Sequence, residues 1–319
     1  MQTLEQEGWV ERQQGRGTFL LDMFAQKRRH VGILLEADIS DEELSPVYVK
    51  MLQELRLAFL KHKIATRPYL GYLRLGVEIG ELTCREFYDE LQKNTIAGVV
   101  PIFAKRHASW GKELEKRGIP IVGPSSASDV KVSTDYEGVV RRVLAYFRER
   151  GHTRMAILAK DGPGESSLHF LEIFQRHASD YGVRIAEENI YKNISGIDPV
   201  EAKRAIEKMW TKSPCRPDCI FIESDMILES CIATIKKLEG SVETGVGNWG
   251  SDAVKIAPRP RLIRCFVSTR TLAQICADHM KKCLEYQDVP RRITIPFVAA
   301  RGMEWEAEKE MTAPSDICL

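Results

Sequence analysis

The chain has 319 residues, 44% of them hydrophobic and 29% charged, with a formal charge of +1. That length accommodates two ordinary domains, a charge so near zero gives no whole-molecule attraction to nucleic acid, and the lack of any run of ~18 apolar residues excludes a spanning helix. No leader of basic then apolar residues opens the chain, so the expected location is the cytoplasm, with no membrane partner.

In chain order the first segment is Leu4 to Leu21, LEQEGWVERQQGRGTFLL. Its spacing predicts the end of a helix at Gly8 and then two short strands, Trp9 to Arg12 and Thr18 to Leu21, around a turn in which Gly15 and Gly17 permit positive φ. With Leu4, Glu5, Gly8, Gln14, Gly15, Gly17, Thr18 and Phe19 in place, it resembles the end of the winged helix-turn-helix of gluconate-repressor-like (GntR) regulators. There the recognition helix ends in LExEGxxxR and the wing reads QGxGTF. The resemblance implies that residues 1–28 are the end of a recognition helix, a wing and a linker, with operator DNA as partner and Arg12, Gln14, Arg16 and Gly17 as DNA-binding positions. Wings supply mostly backbone or minor-groove contacts, and Arg12 and Arg16 suit those. Basic character is concentrated here, in Arg12, Arg16, Lys27, Arg28 and Arg29. The front of the module is expected before Met1, cut off by a late start codon or by trimming. The alternative is a solvated hairpin whose arginines meet nothing.

From His30 onward short apolar runs alternate with amphipathic stretches, which predicts an α/β fold with parallel sheets covered on both faces. Strands are expected at His30–Leu35, Ala65–Leu70, Gly98–Ile102, Pro120–Val122, Met155–Leu158, Arg184–Ala186, Cys219–Ile222, Gly245–Trp249, Leu262–Val267 and Ile293–Val298. The helices between them are Pro46–Lys63, Cys84–Asn94, Trp110–Arg117, Tyr136–Glu149, Phe170–Tyr181, Val200–Trp210, Ile227–Leu238 and Leu272–Tyr286. No repeat or long linker interrupts the alternation.

The run Val132 to Leu158, VSTDYEGVVRRVLAYFRERGHTRMAIL, carries a VxxDxxxG segment, a helix and a GHxxIA-like strand in succession. It resembles the sensor domains of lactose-repressor-like (LacI) regulators and the type I periplasmic binding proteins. Val31–Ile39, Pro217–Leu228, Val246–Ser251 and Ile263–Thr269 follow the same family's order. The resemblance covers nearly everything from residue 30 on, and implies an effector-binding domain over residues 29–319. It would have two Rossmann-like lobes, one of about 30–131 and 270–291, the other of about 132–269 and 292–319, with a small molecule in the cleft between them at the carboxyl ends of the sheets. It also implies a homodimer, for which Pro46–Lys63 and Cys84–Asn94 are the candidate interface.

Residues just past strand ends are the candidate ligand-binding set: Asp38, Ser40, Phe103, Asp135, His169, Phe170, Ser224, Trp249 and Arg270, with Arg106, Lys160, Asp161, Ser166 to Leu168, Asp225 and Asp252 beside them. A hydroxylated effector such as a sugar needs carboxylate or guanidinium partners and an aromatic face, which Asp135, Arg270, Phe103 and Trp249 could supply. Two departures stand out. Ser167-Leu168-His169-Phe170 lacks the arginine that many sugar-sensing relatives carry, and Asn248-Trp249-Gly250 replaces the usual aspartate after the VVG strand. Each candidate also has an ordinary structural role open to it, as a cap, a packing group or a solvated loop residue.

Catalysis has no support: Asp161-Gly162-Pro163-Gly164-Glu165 lacks a GK[ST] ending, and no GxSxG or HExxH occurs. His152, in a GHT turn, suits packing. Cys215 and Cys219 have no second pair to complete a metal site, so the eight cysteines read as reduced thiols. No catalytic residue, metal or cofactor is expected. The reading is a ligand-responsive transcriptional regulator of the repressor type; the alternative is a stand-alone solute-binding module with a vestigial wing and no DNA binding.

Overall fold

The computed structural model describes residues 10–13, 17–20, 29–40, 44–73, 84–104, 108–125, 127–160, 165–194, 198–238, 243–301 and 304–306. Its contacts divide the chain into unit 1, Met1–Leu44, Leu52–Lys131 and Ala273–Arg291, and unit 2, Ser45–Met51, Val132–Leu272 and Arg292–Leu319. No helix among the described residues is long and apolar enough to cross a membrane.

The hairpin consists of β1 (Val10–Gln13) and β2 (Gly17–Leu20), antiparallel with Val10 opposite Leu20 and Gln13 opposite Gly17. Arg12 and Gly17 therefore lie on paired strands, while Gln14, Arg16 and the helix expected up to Gly8 fall outside the described residues.

Unit 1 is built on β3 (His30–Ala37), followed by α1 (Pro46–Lys61), which belongs to it from Leu52 on, β4 (Thr66–Leu73), α2 (Arg85–Gln92), β5 (Ile96–Phe103), α3 (Ala108–Lys116) and β6 (Val122–Gly123). β3 is the middle of a parallel sheet of order β4-β3-β5. Its run of buried residues from Val31 to Ala37 is what a strand paired on both edges and covered on both faces requires. Tyr69, Phe87 and Trp110 pack edge to face over this sheet, with centroids 5.3 and 5.8 Å apart. At Gly98 the sheet packs closely on Met280, whose thioether would have to shift to admit a Cβ. α2 corrects one expectation. Its apolar residues Phe87 and Leu91 are buried and Arg85, Glu86, Asp89 and Gln92 face outward, so it offers no apolar interface. The exposed apolar residues on α1 are Leu57 and Leu60.

β7 (Val130–Thr134), a strand absent from the sequence reading, pairs in parallel with β6. Then come α4 (Tyr136–Glu149), β8 (Arg154–Lys160), α5 (Glu165–His177), a 3₁₀ turn at Ala178–Tyr181, β9 (Arg184–Ile194), α6 (Pro199–Lys212), β10 (Cys219–Ile222), α7 (Leu228–Leu238), β11 (Gly245–Ser251), β12 (Leu262–Val267), α8 (Thr269–Leu284), β13 (Arg292–Ile295), β14 (Val298–Arg301) and β15 (Glu304–Glu306).

The unit 2 sheet has the order β15-β14-β12-β11-β10-β8-β9, parallel from β12 to β9 and antiparallel at β14 and β15. Alternation along β10 sends Cys219 and Phe221 to the layer holding Val143, Phe147, Phe170 and Phe174, and Ile220 and Ile222 to the layer holding Ile206, Met209, Leu228 and Ile235. β9 is eleven residues long where three were expected, because an edge strand tolerates Glu187, Glu188 and Lys192 facing solvent and so shows no apolar run. The single strand expected at Ile293–Val298 breaks at Pro296 into β13 and β14, since proline cannot donate to a ladder.

Candidate functional site

Because β8, β10, β11 and β12 are parallel, their carboxyl ends converge at one edge of the unit 2 sheet, where the N-terminus of α4 also begins. Three rings meet there. Tyr136, the first residue of α4, packs on Phe170 at 4.9 Å and on Trp249 at 5.8 Å, and Phe170 and Trp249 lie 5.8 Å apart. Trp249 and Tyr136 are half-buried. Phe170 corrects the reading: at 1% exposure it belongs to the core and packs against Phe221, so it backs the corner and presents no face to a ligand. Burial, then the nearby Glu223 carboxylate, pushes the Tyr136 phenol up, which keeps it protonated and able to donate.

Behind Trp249 lies a buried ion pair. The Asp225 carboxylate accepts the Ser251 amide at 2.9 Å and meets Arg264 at 3.5 Å, and Arg264 donates to the Ser251 carbonyl at 2.5 Å and the Val254 carbonyl at 2.9 Å. Burial raises Asp225, against the opposing pull of the Ser251 amide and the guanidinium, and burial lowers Arg264. Gly250 must be glycine because a Cβ would collide with the Asp225 carboxylate. Asn248, wholly buried, donates its amide to the carbonyls of Ile222 and Trp249 at 2.9 and 3.1 Å. The backbone from Asn248 to Ser251 is thus held from both sides, which fixes the indole.

The other predicted residues have local duties. Asp135 caps α4, accepting the Gly138 amide at 2.8 Å. Ser224 is buried and its hydroxyl accepts the Met226 amide at 3.3 Å, shaping the turn after β10. Asp252 accepts both the amide and the hydroxyl of Thr269, at 3.1 and 2.8 Å, and pairs with Lys50 at 3.0 Å. Burial raises its carboxyl, but these partners outweigh it and leave the pKa below the usual value. Arg270 is exposed on the first turn of α8. In unit 1, Asp38 accepts the amide and hydroxyl of Ser40 at 2.9 and 2.7 Å, closing a turn after β3. Phe103 ends β5 and His169 lies on α5, with side chains outside the described residues, as are Arg106 and Asp161 entirely.

The sequence reading missed Tyr136, Glu223 and Arg264. Arg264 carries a signal, a lone charge inside the apolar run LIRCFV, which demands a buried partner. Among the described residues no cluster of three or more histidine, cysteine or acidic side chains could hold a metal ion, and Cys215 and Cys219 are free, the latter buried on β10.

No family model matches the sequence, and no curated protein does. Solved structures do resemble the fold. A regulatory protein of the LacI family from Chloroflexus aggregans aligns with a TM-score of 0.69 at 13% identity, covering 87% of this chain and 99% of that one. The transcriptional regulator CelR in complex with cellobiose aligns at 0.68 and 14% identity, covering 94% and 87%. The transcription regulator CcpA of Lactococcus lactis aligns at 0.66 and 11%, covering 86% and 99%. The fold is therefore the α/β, two-lobed, periplasmic-binding-protein-like fold of LacI-type regulators. None of these three is named as a GntR-type regulator, so the wing reading of residues 1–28 rests on their sequence and on the β1–β2 hairpin.

Proposed function

We propose that the chain is a ligand-responsive transcriptional regulator whose unit 2 binds a small hydroxylated molecule, a sugar or sugar derivative, at the carboxyl ends of its parallel strands. The observation that carries this reading is the corner of half-buried Tyr136 and Trp249, placed beside the Asp135 carboxylate at the start of α4 and braced by Asp225 and Arg264. Capping uses one of the roughly four acceptor sites of a carboxylate, so Asp135 keeps capacity for a ligand hydroxyl while Trp249 offers an apolar face. A fold shared with transcription regulators, one of them solved with cellobiose, supports the same class. Ser224 and Arg270, also of unit 2, are the remaining proposed contacts of that site.

The DNA-reading part of the proposal rests on residues 1–28, with Arg12, Gln14, Arg16 and Gly17 as the wing's contacts to operator DNA. The protein acts as a homodimer, with Leu57 and Leu60 of α1 in the interface.

The ligand reading is tested by a thermal-shift screen of mono- and disaccharides and sugar acids, since a molecule that binds only the folded state raises its stability. A hit should then bind Trp249→Ala about 5- to 150-fold more weakly, the equivalent of about 1 to 3 kcal/mol. A hit with unchanged affinity for that variant places the ligand elsewhere and defeats the assignment.

A further inference from the structure

A second pocket, of about 350 Å³, lies at the opposite end of the same strands of unit 2. Its floor is apolar: Ile232 of α7, Val246 near the start of β11 and Leu262 at the start of β12, all buried. Its rim is cationic, with Lys236 from the last turn of α7 and Arg259 and Arg261 from the segment before β12. Among the described residues no carboxylate lines it, while Glu229 pairs with Arg259, and Glu243 reaches Arg261 at 3.8 Å. Both are more than half exposed, and such exposed pairs are weak and screened by salt. Lys236 is exposed and has no carboxylate partner among the described residues. Val246 and Trp249 lie three residues apart on β11, which at ~3.3 Å per residue puts this pocket roughly 10 Å from the candidate effector site.

We propose that this pocket binds an organic anion, a carboxylate or phosphate carried on a short apolar body. Guanidinium groups match the planar geometry of a carboxylate or the oxygens of a phosphate, and the isoleucine, valine and leucine floor takes the body out of water. A buried apolar floor without a charged rim would suit a neutral ligand, and a charged rim without the floor would hold only inorganic ions. The combination selects molecules that have both parts. At ~30 Å³ for a water-sized group, the volume suits a ligand of about ten non-hydrogen atoms. The site is separate from the carbohydrate reading and stands or falls without it.

The test is isothermal titration of the full chain with octanoate and with octyl phosphate, using 1-octanol as an equal body without charge and acetate as a charge without a body. One of the two anions should bind saturably at one site per chain. 1-Octanol and acetate should bind at least about tenfold more weakly, and added salt should weaken the anion. Lys236→Glu and Arg259→Gln should each weaken the anion by about tenfold or more, the usual effect of losing a charged hydrogen-bond partner. Circular dichroism checks the folding of both variants, and Lys236→Glu, on an exposed position, decides the matter if Arg259→Gln is misfolded. The proposal is overturned if neither anion binds more tightly than about 1 mM, if 1-octanol binds as well as they do, or if Lys236→Glu leaves the affinity unchanged.

Discussion

Replacing Arg264 with methionine removes a guanidinium that is 4% exposed and leaves the Asp225 carboxylate buried with the Ser251 amide as its remaining partner of this cluster. At the 3.5 Å separation of the pair, the lost attraction is about 5 kcal/mol at an effective dielectric of ~20. Protonation sets a ceiling on the cost. Neutralising a carboxyl of ordinary pKa about 3.9 costs about 1.4 kcal/mol per pH unit above that value, or about 4 kcal/mol at pH 7. The variant should therefore lose about 3 to 5 kcal/mol at pH 7, in the range for a buried pair broken on one side. In the variant the folded-state pKa of Asp225 rises further above its unfolded value, so the penalty is absent below the unfolded pKa and grows as pH increases. Between pH 7 and pH 5 it should shrink by about 2 to 3 kcal/mol. Arg264→Met combined with Asp225→Asn should recover most of the loss, because the charge is gone while the amide oxygen still accepts from Ser251. Urea unfolding followed by circular dichroism measures all three chains. A loss under about 1 kcal/mol at pH 7 with no dependence on pH would refute the account of how Trp249 is held.

Asp135→Ala should lose the α4 cap and cost about 0.5 to 2 kcal/mol of stability in the absence of any ligand, read as a lower urea midpoint; an unchanged midpoint would deny the cap. Burial lowers His152 against the weaker upward pull of Asp218, so the fold disfavours the imidazolium and stability should fall as pH drops through the unfolded value of about 6.5. His152→Gln should remove that component of the pH dependence, and identical pH profiles for the two chains would exclude it. Leu57→Glu with Leu60→Glu, two exposed positions on α1, should leave the circular dichroism spectrum intact and shift the protein from dimer to monomer in light scattering. A wild-type chain already monomeric at micromolar concentration would sink the dimer.

Elements with a strong apolar period were legible before any coordinates. β10, β12 and α4 have the expected bounds because Cys219–Ile222 and Leu262–Val267 are continuous buried runs, and Asp135 and Gly138 mark where α4 starts. β9 outruns its short apolar stretch because its outward residues are charged, and the apolar run Ile293–Val298 conceals the break that Pro296 makes between β13 and β14. In the site, Ser224 lies just past β10 and Asp135 just past β7, while Trp249 sits within β11, and position along the chain does not disclose their duties. Whether a side chain at a helix start caps the helix or reaches a ligand depends on its rotamer, and sequence does not encode that choice. Phe170 was misassigned for a related reason. A helix residue near a strand end can point into the core or out of it, and the contact with Phe221 that decides between them joins residues 51 positions apart. Arg264 was hidden inside a strand, and its partner Asp225 is 39 positions away.

The central claim is that this chain couples a small hydroxylated ligand to DNA. Fluorescence anisotropy tests it most directly, with the full-length protein and labelled DNA from upstream of its own gene, with and without the sugar found by thermal shift. The account predicts sequence-specific binding that weakens steeply with salt and an affinity that the sugar changes by about 5-fold or more, with Trp249→Ala blunting the response. Binding equal to that of unrelated DNA, or an operator affinity that the sugar leaves untouched, would contradict it.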